Sequence, residues 1–148
     1  CQAAGGTYHF AASQDATNNP PAMIFLHGFG GTGKGVIRNK GLLAPILKRG
    51  YAIIAPQGLP WREGSKGGSW NSMARAERRD DVAFLQAIAD DAAARHGIDR
   101  DNILIAGFSG GVKQTSGKAQ ILLPSAFLQE ISRPLAKTLL PILEILRV

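Results

Sequence analysis

The pentapeptide GFSGG, residues 107 to 111, sets Ser109 between glycines two positions before and two positions after it. G-x-S-x-G is the pattern of a tight strand-to-helix turn that strains the serine backbone and lifts its hydroxyl above a sheet, ready to attack an ester carbonyl. Side chains at the glycine positions would collide with the neighbouring strand and helix. About 80 residues upstream, MIFLHGFGGTGKG (23 to 35) runs four apolar residues into a loop with five glycines between Gly28 and Gly35. Three chemistries compete for that loop. Gly28, Gly30 and Gly33 spell the dinucleotide fingerprint G-x-G-x-x-G, and Gly28 to Lys34 spell a P-loop short of its last letter. The third is an HG-type loop whose backbone N–H stabilises an oxyanion.

Both nucleotide readings lack a ligand. A P-loop needs Ser or Thr after its lysine to hold Mg²⁺, and Gly35 stands there. A dinucleotide site calls for Asp or Glu roughly 20 residues on, at the end of the next strand. That stretch reads AIIAPQG. The oxyanion reading needs only backbone N–H groups and small residues, which HGFGG supplies. Phe29 N–H is then one donor and Gly110 N–H, just after the serine, the second. One such donor is worth on the order of 3 kcal/mol of barrier.

The elements that must position these residues follow from local pattern. TYHFAAS (7 to 13) alternates as an edge strand does, and QDATNNPP is turn chemistry leading into a buried strand at 23. LLAPILKRG predicts a short helix closed by Lys48, Arg49 and Gly50, and YAIIAP (51 to 56) the next strand. A long Gly-rich loop with Trp61 and Trp70 follows, of a length that is usually functional or mobile. Val82, Leu85, Ile88, Ala89 and Ala92 then recur at helical spacing between an Asp80/Asp81 start and a stop at Gly97. Ile103 to Ala106 is a further buried strand. Strands alternating with helices over short connections predict an α/β architecture around a mostly parallel, doubly wound sheet.

Composition bounds the rest. At 148 residues, 45% hydrophobic and 19% charged, the chain suits one globular domain that buries roughly 70% of its unfolded surface. Its net charge of +6 is scattered among acids, as in ERRDD, which argues a solvated surface and no nucleic-acid partner. Cys1 is the sole cysteine, so no intrachain disulfide can form. A leading Cys before the small, polar QAAGG fits either a lipid-anchored, exported protein or a fragment edge. No run approaches the ~18 apolar residues of a membrane span.

IFLHGFGGTG, YAIIAPQG, SWN and DDVAFLQAIADDAAARHGIDRDNILIAGFSGG, in this order and spacing, resemble the N-terminal half of α/β-hydrolases of the polyhydroxybutyrate depolymerase and feruloyl esterase branch. The likeness covers roughly residues 5 to 111. It implies a partial α/β-hydrolase fold and a secreted or periplasmic serine esterase that acts without cofactor or metal on small or polymeric esters. It implies Ser109 as nucleophile and an oxyanion hole after His27, whose ring shapes the loop by hydrogen bonding. His27, Gly28, Trp70 and Asn71 are then expected to line the substrate cleft.

In that fold the order along the chain is Ser, then Asp or Glu, then His. After Ser109 this sequence holds no histidine and no aspartate, only Glu130 and Glu144. His9, His27 and His96 all precede the serine, none at the required position. Loss of the histidine costs on the order of 10⁶ in kcat, so a poor esterase is expected. Residues 112 to 148 depart from the likeness altogether: VKQTSGK replaces the apolar helix expected after the turn, and Pro124, Pro134 and Pro141 interrupt what helical spacing follows. We read 1–111 as the N-terminal part of the hydrolase domain and 112–148 as an atypical tail, consistent with a frameshift or premature ending near Gly111. The sheet's last edge is then expected to be poorly covered. A non-catalytic, truncated polypeptide and a nucleotide-binding module using the Gly28–Gly35 loop are the alternatives.

Overall fold

A computed structural model describes residues 1–71, 77–108 and 119–120 of the chain. Ala22, Met23, Ile24, Phe25 and Leu26 are apolar throughout because this strand is covered on both faces, the signature of a buried parallel strand. Along the chain, the two-residue β1 (Gln2–Ala3) leads into β2 (Gly6–Ala11) and then β3 (Ala22–Leu26). Two short helices, α1 (Gly33–Arg38) and α2 (Lys40–Lys48), connect β3 to β4 (Ala52–Pro56). After β4 come β5 (Leu59–Pro60), β6 (Gly68–Ser69), α3 (Asp81–His96), β7 (Ile103–Phe108) and β8 (Ala119–Gln120).

The main sheet has the order β1-β2-β4-β3-β7-β8, and β5 pairs with β6 in a small separate ribbon. β3 lies parallel to β4 on one side and to β7 on the other, while β2 runs antiparallel to β4. The observed sheet is therefore mixed, parallel at its centre and antiparallel towards both edges. The strand read at 7 to 13 forms at Gly6–Ala11 and is near the edge, with only β1 beyond it.

Side-chain alternation sorts the strands onto two cores. Ala22, Ile24, Ala52, Ile54 and Ile105 face α3, against Phe84, Leu85, Ile88, Ala89 and Ala92. Met23, Phe25, Ile53, Ala55, Leu104 and Ala106 face the opposite way, against Val36, Leu43 and Ile46 of α1 and α2. Helices on both faces are what a doubly wound sheet requires. The Tyr8 hydroxyl donates to Asp91 at 2.6 Å and so ties β2 to α3. Burial and that carboxylate push the phenol up to about 12.

α3 begins and ends where its local signals place it. The Asp80 carboxylate accepts the N–H groups of Val82 and Ala83 at 3.0 Å, and Gly97 closes the helix in the left-handed region at φ 66°. Its buried stripe differs from the expected one in a single member. Phe84 is buried, while Val82 is 51% exposed. Val82 lines an open, largely apolar groove with Leu85, Ala89, Ile103 and Ile105.

α1 was not expected, because Gly33 and Gly35 are poor helix formers. Thr32 compensates by capping, its Oγ1 accepting the Gly35 N–H at 2.9 Å. α2 starts at Lys40, earlier than LLAPILKRG suggests, and is capped by Asn39, whose Oδ1 accepts the Leu42 N–H at 3.1 Å. The division at residue 111 and the tail from 112 lie outside the described residues, apart from β8, which pairs antiparallel with Gly107 and Phe108.

The two sides of α3 should respond differently to truncation. Ile88→Ala, at a fully buried position, should lower stability by about 2–5 kcal/mol in urea unfolding. Val82→Ala should change it by less than about 0.5 kcal/mol. Equal losses at the two positions would contradict the observed orientation of the helix.

Candidate active site

β3 and β7 end side by side, with Leu26 in register with Gly107. In open α/β sheets ligands bind at the carboxyl ends of the strands, and both chemical motifs leave the sheet at that end. A Cβ on Gly107 would lie 2.8 Å from the Leu26 carbonyl oxygen and 2.9 Å from its Cβ, so only glycine lets the two backbones approach this closely. This is the collision anticipated for the first glycine of GFSGG. Ser109, Gly110 and Gly111 themselves lie outside the described residues.

The loop after β3 is held by one buried ring. His27 is 3% exposed, and both its nitrogens are bonded. Nε2 accepts the Gly58 N–H at 3.0 Å, and Nδ1 lies 2.9 Å from the Gly28 carbonyl oxygen, to which it must therefore carry the proton. Burial pushes this imidazole below its usual 6.5, against the opposing pull of the Gly28 bond. A neutral ring with both nitrogens engaged fixes the backbone and leaves no lone pair for a serine proton. His27 thus sits beneath the loop wall.

That ring determines where Phe29 N–H points. The Gly28 carbonyl accepts from His27 Nδ1 and from the Gly31 N–H, each at 2.9 Å. The chain has no cis peptide among its described residues, and across a trans peptide the C=O and N–H point in opposite directions. Pinning the Gly28 carbonyl inward turns the N–H of Phe29, in the same peptide plane, outward. Among the described residues it meets no acceptor. This is the donor assigned from sequence.

The far side of the loop is locked to β6. Gly30 N–H donates to Gly68 O and Gly68 N–H to Gly31 O, both at 2.9 Å. The contact is so close that a Cβ on Gly67 would overlap the Gly30 carbonyl. Trp70 Nε1–H donates to the His27 carbonyl at 2.8 Å, with its ring 4.9 Å from the imidazole. Asn71 is fixed beside it: its N–H reaches Asp81 Oδ2 at 2.5 Å and its side-chain amide the Arg79 carbonyl at 3.2 Å. The Phe29 ring is 57% exposed and packs against Trp61 at 5.3 Å, with the Arg62 guanidinium 4.3 Å over the indole.

The loop's own bonding leaves little for a phosphate. Gly30, Gly31, Gly33, Gly35 and Val36 N–H groups are all taken, by Gly68, Gly28, Gln57 Oε1, Thr32 Oγ1 and Thr32 O respectively. A phosphate cradle needs such donors free. His9 lies on β2 with its ring against Gly33, where a Cβ would meet its Cδ2 at 3.1 Å, and His96 stacks on Phe10 at 3.9 Å with Nε2 3.4 Å from Cys1 Sγ. Among the described residues no three of His, Cys, Asp and Glu gather as metal ligands, and no helix is long and apolar enough to cross a membrane.

Sequence reasoning did not find the groups behind this wall. Gly58, Arg78 and the Arg79–Asp81 pair belong to it. Arg79 Nε bonds Asp81 Oδ1 at 2.7 Å, its guanidinium also reaching Gly5 O at 2.9 Å and stacking 3.7 Å over Phe84. Arg78 donates to Ser69 Oγ at 3.1 Å. The one signal for them was the unusual length of the loop from 57 to 79.

No protein-family model and no curated protein matches this chain. Among solved structures, the crystal structure of a Bacillus cereus carboxylesterase is similar, with 23% identity and a TM-score of 0.47 over 73% of this chain and 50% of that one. The chain thus spans about half the length of that enzyme. What the site can do follows from its own residues.

Acid should loosen this arrangement. His9 and His96, like His27, are held below 6.5, chiefly by burial. Below that value the unfolded chain binds protons that the folded chain does not, so stability falls as pH drops through 6.5. Thermal melts should give a flat Tm above about pH 7 and a falling one towards about pH 5. A Tm that stays level over the whole range would show that the folded imidazoles protonate freely.

Proposed function

We propose that this chain carries the nucleophile and oxyanion-hole part of a serine carboxylic-ester hydrolase. Ser109 attacks the ester carbonyl, and the developing oxyanion rests on the N–H groups of Phe29 and Gly110. The observation that carries this reading is the outward Phe29 N–H, fixed by the buried His27 ring at the end of β3, beside the strand that leads into GFSGG. The finer reading is a depolymerase-like or feruloyl-esterase-like activity on hydroxyalkanoate or aryl esters, in an exported setting with a lipid anchor at Cys1. It is supported by the sequence resemblance.

The histidine that must take the serine proton is not provided by His27, whose nitrogens are both bonded. His9 faces Gly33 from β2 and His96 closes α3, and neither is among the groups bonded to the loop around Phe29. Imidazole in solution can take that place. With p-nitrophenyl acetate and added imidazole, the chain should acquire an acetyl group on Ser109, read by mass spectrometry of the digest, and Ser109→Ala should not. Absence of the adduct in the unaltered chain, or equal acetylation of the variant, would show a non-catalytic polypeptide. ATP or NAD at millimolar concentration should leave Tm unchanged; a rise would favour the nucleotide-binding alternative.

A further inference from the structure

We propose that Trp70 is a positioning residue that fixes the oxyanion donor through the His27 carbonyl, rather than a residue that touches substrate; the inference rests on the ester-hydrolase reading above. Two successive peptide planes lead to the donor. The second, Gly28–Phe29, is held through the Gly28 carbonyl by His27 Nδ1–H and Gly31 N–H. The first, His27–Gly28, is held through the His27 carbonyl by the Trp70 indole N–H at 2.8 Å. They meet at a glycine, whose backbone rotates more freely than any other. Fixing one plane alone leaves the other able to swing about Gly28. Both carbonyls must be anchored for Phe29 N–H to keep one direction.

Trp70 is suited to this and not to binding. Its single polar group, the indole N–H, already has its acceptor, and its ring is partly buried against the core and 4.9 Å from the His27 ring. Its neighbours on either side are held, the Ser69 hydroxyl by Arg78 and the Asn71 N–H by Asp81, whose other oxygen is held by Arg79. The Arg79 and Asp81 side chains are only 10% and 14% exposed. A bracing pair so withdrawn from water is screened little. The indole is therefore a fixed donor, set before any substrate arrives.

Two replacements separate the indole N–H from the ring's bulk: Trp70→Phe, and benzothienylalanine at position 70, which keeps the bicyclic shape and loses only the donor. Acetylation of Ser109 by p-nitrophenyl acetate with imidazole should slow by roughly 10- to 100-fold at saturation, with KM within about two-fold of the unaltered chain. The Phe29 amide resonance should shift in the ¹⁵N spectrum. Ile88→Val, a core change, should do neither, which separates positioning from general destabilisation. An unchanged saturating rate, or a rise in KM alone, overturns the proposal; the latter would make Trp70 a substrate contact. If the unaltered chain forms no adduct, the ester-hydrolase reading fails, and the Phe29 resonance decides by itself whether Trp70 orients the loop.

Discussion

The buried imidazole of His27 is the constraint on which the candidate site depends. A ring 3% exposed cannot leave either nitrogen unpaired without cost, and here one accepts from Gly58 while the other donates to Gly28. Gly58 comes from the segment after β4 and Gly28 from the loop after β3, so the ring joins the two parallel strands just past their ends. The neutral state follows from the same bonds. A protonated ring would face the Gly58 N–H with a second donor, and burial already disfavours the charge.

Around that ring the bonding is backbone-heavy and glycine-rich. A Cβ at Gly31, Gly33, Gly67 or Gly68 would run into neighbouring backbone, and Gly30 takes a left-handed φ of 75°, which accounts for glycine at these positions. The closeness removes freedom: a loop that reads as flexible in composition is clamped by β6, by Trp70 and by its own Gly28–Gly31 turn. Glycine here serves close approach more than mobility. The same density of internal bonds uses most of the donors that a nucleotide phosphate would need, while the Phe29 amide is left facing outward.

Much of the fold was legible because its signals are local. The Asp80 cap and the Gly97 stop depend on atoms within a few residues of each helix end, and both ends formed as read. The all-apolar strands at 22–26, 52–56 and 103–108 are short runs that only a doubly covered sheet can bury. The expectation was weakest where local preference was overruled. α1 forms through two glycines because Thr32 caps it and Val36 finds a core; Val82 has the right spacing for the stripe yet stands exposed, since nothing among the described residues covers the groove it lines. The antiparallel placement of β2 against β4 also escaped the sequence, as strand direction depends on partners more than 40 residues apart.

For the site, the sequence by itself determined the residue types: a serine between spaced glycines, a histidine and glycines after a buried strand, and backbone N–H groups as the only donors those glycines leave. Between Ser109 and Val148 it offers no histidine. The tertiary structure alone decided direction and contact. That the His27 ring lodges on the Gly58 N–H, that Trp70 grips the His27 carbonyl, and that Asp81 holds the Asn71 N–H behind it are facts about groups 10 to 43 residues apart. Hydrogen bonds over such separations exist only once the sheet has brought the strand ends together, and no spacing in the sequence encodes which carbonyl a distant indole will find.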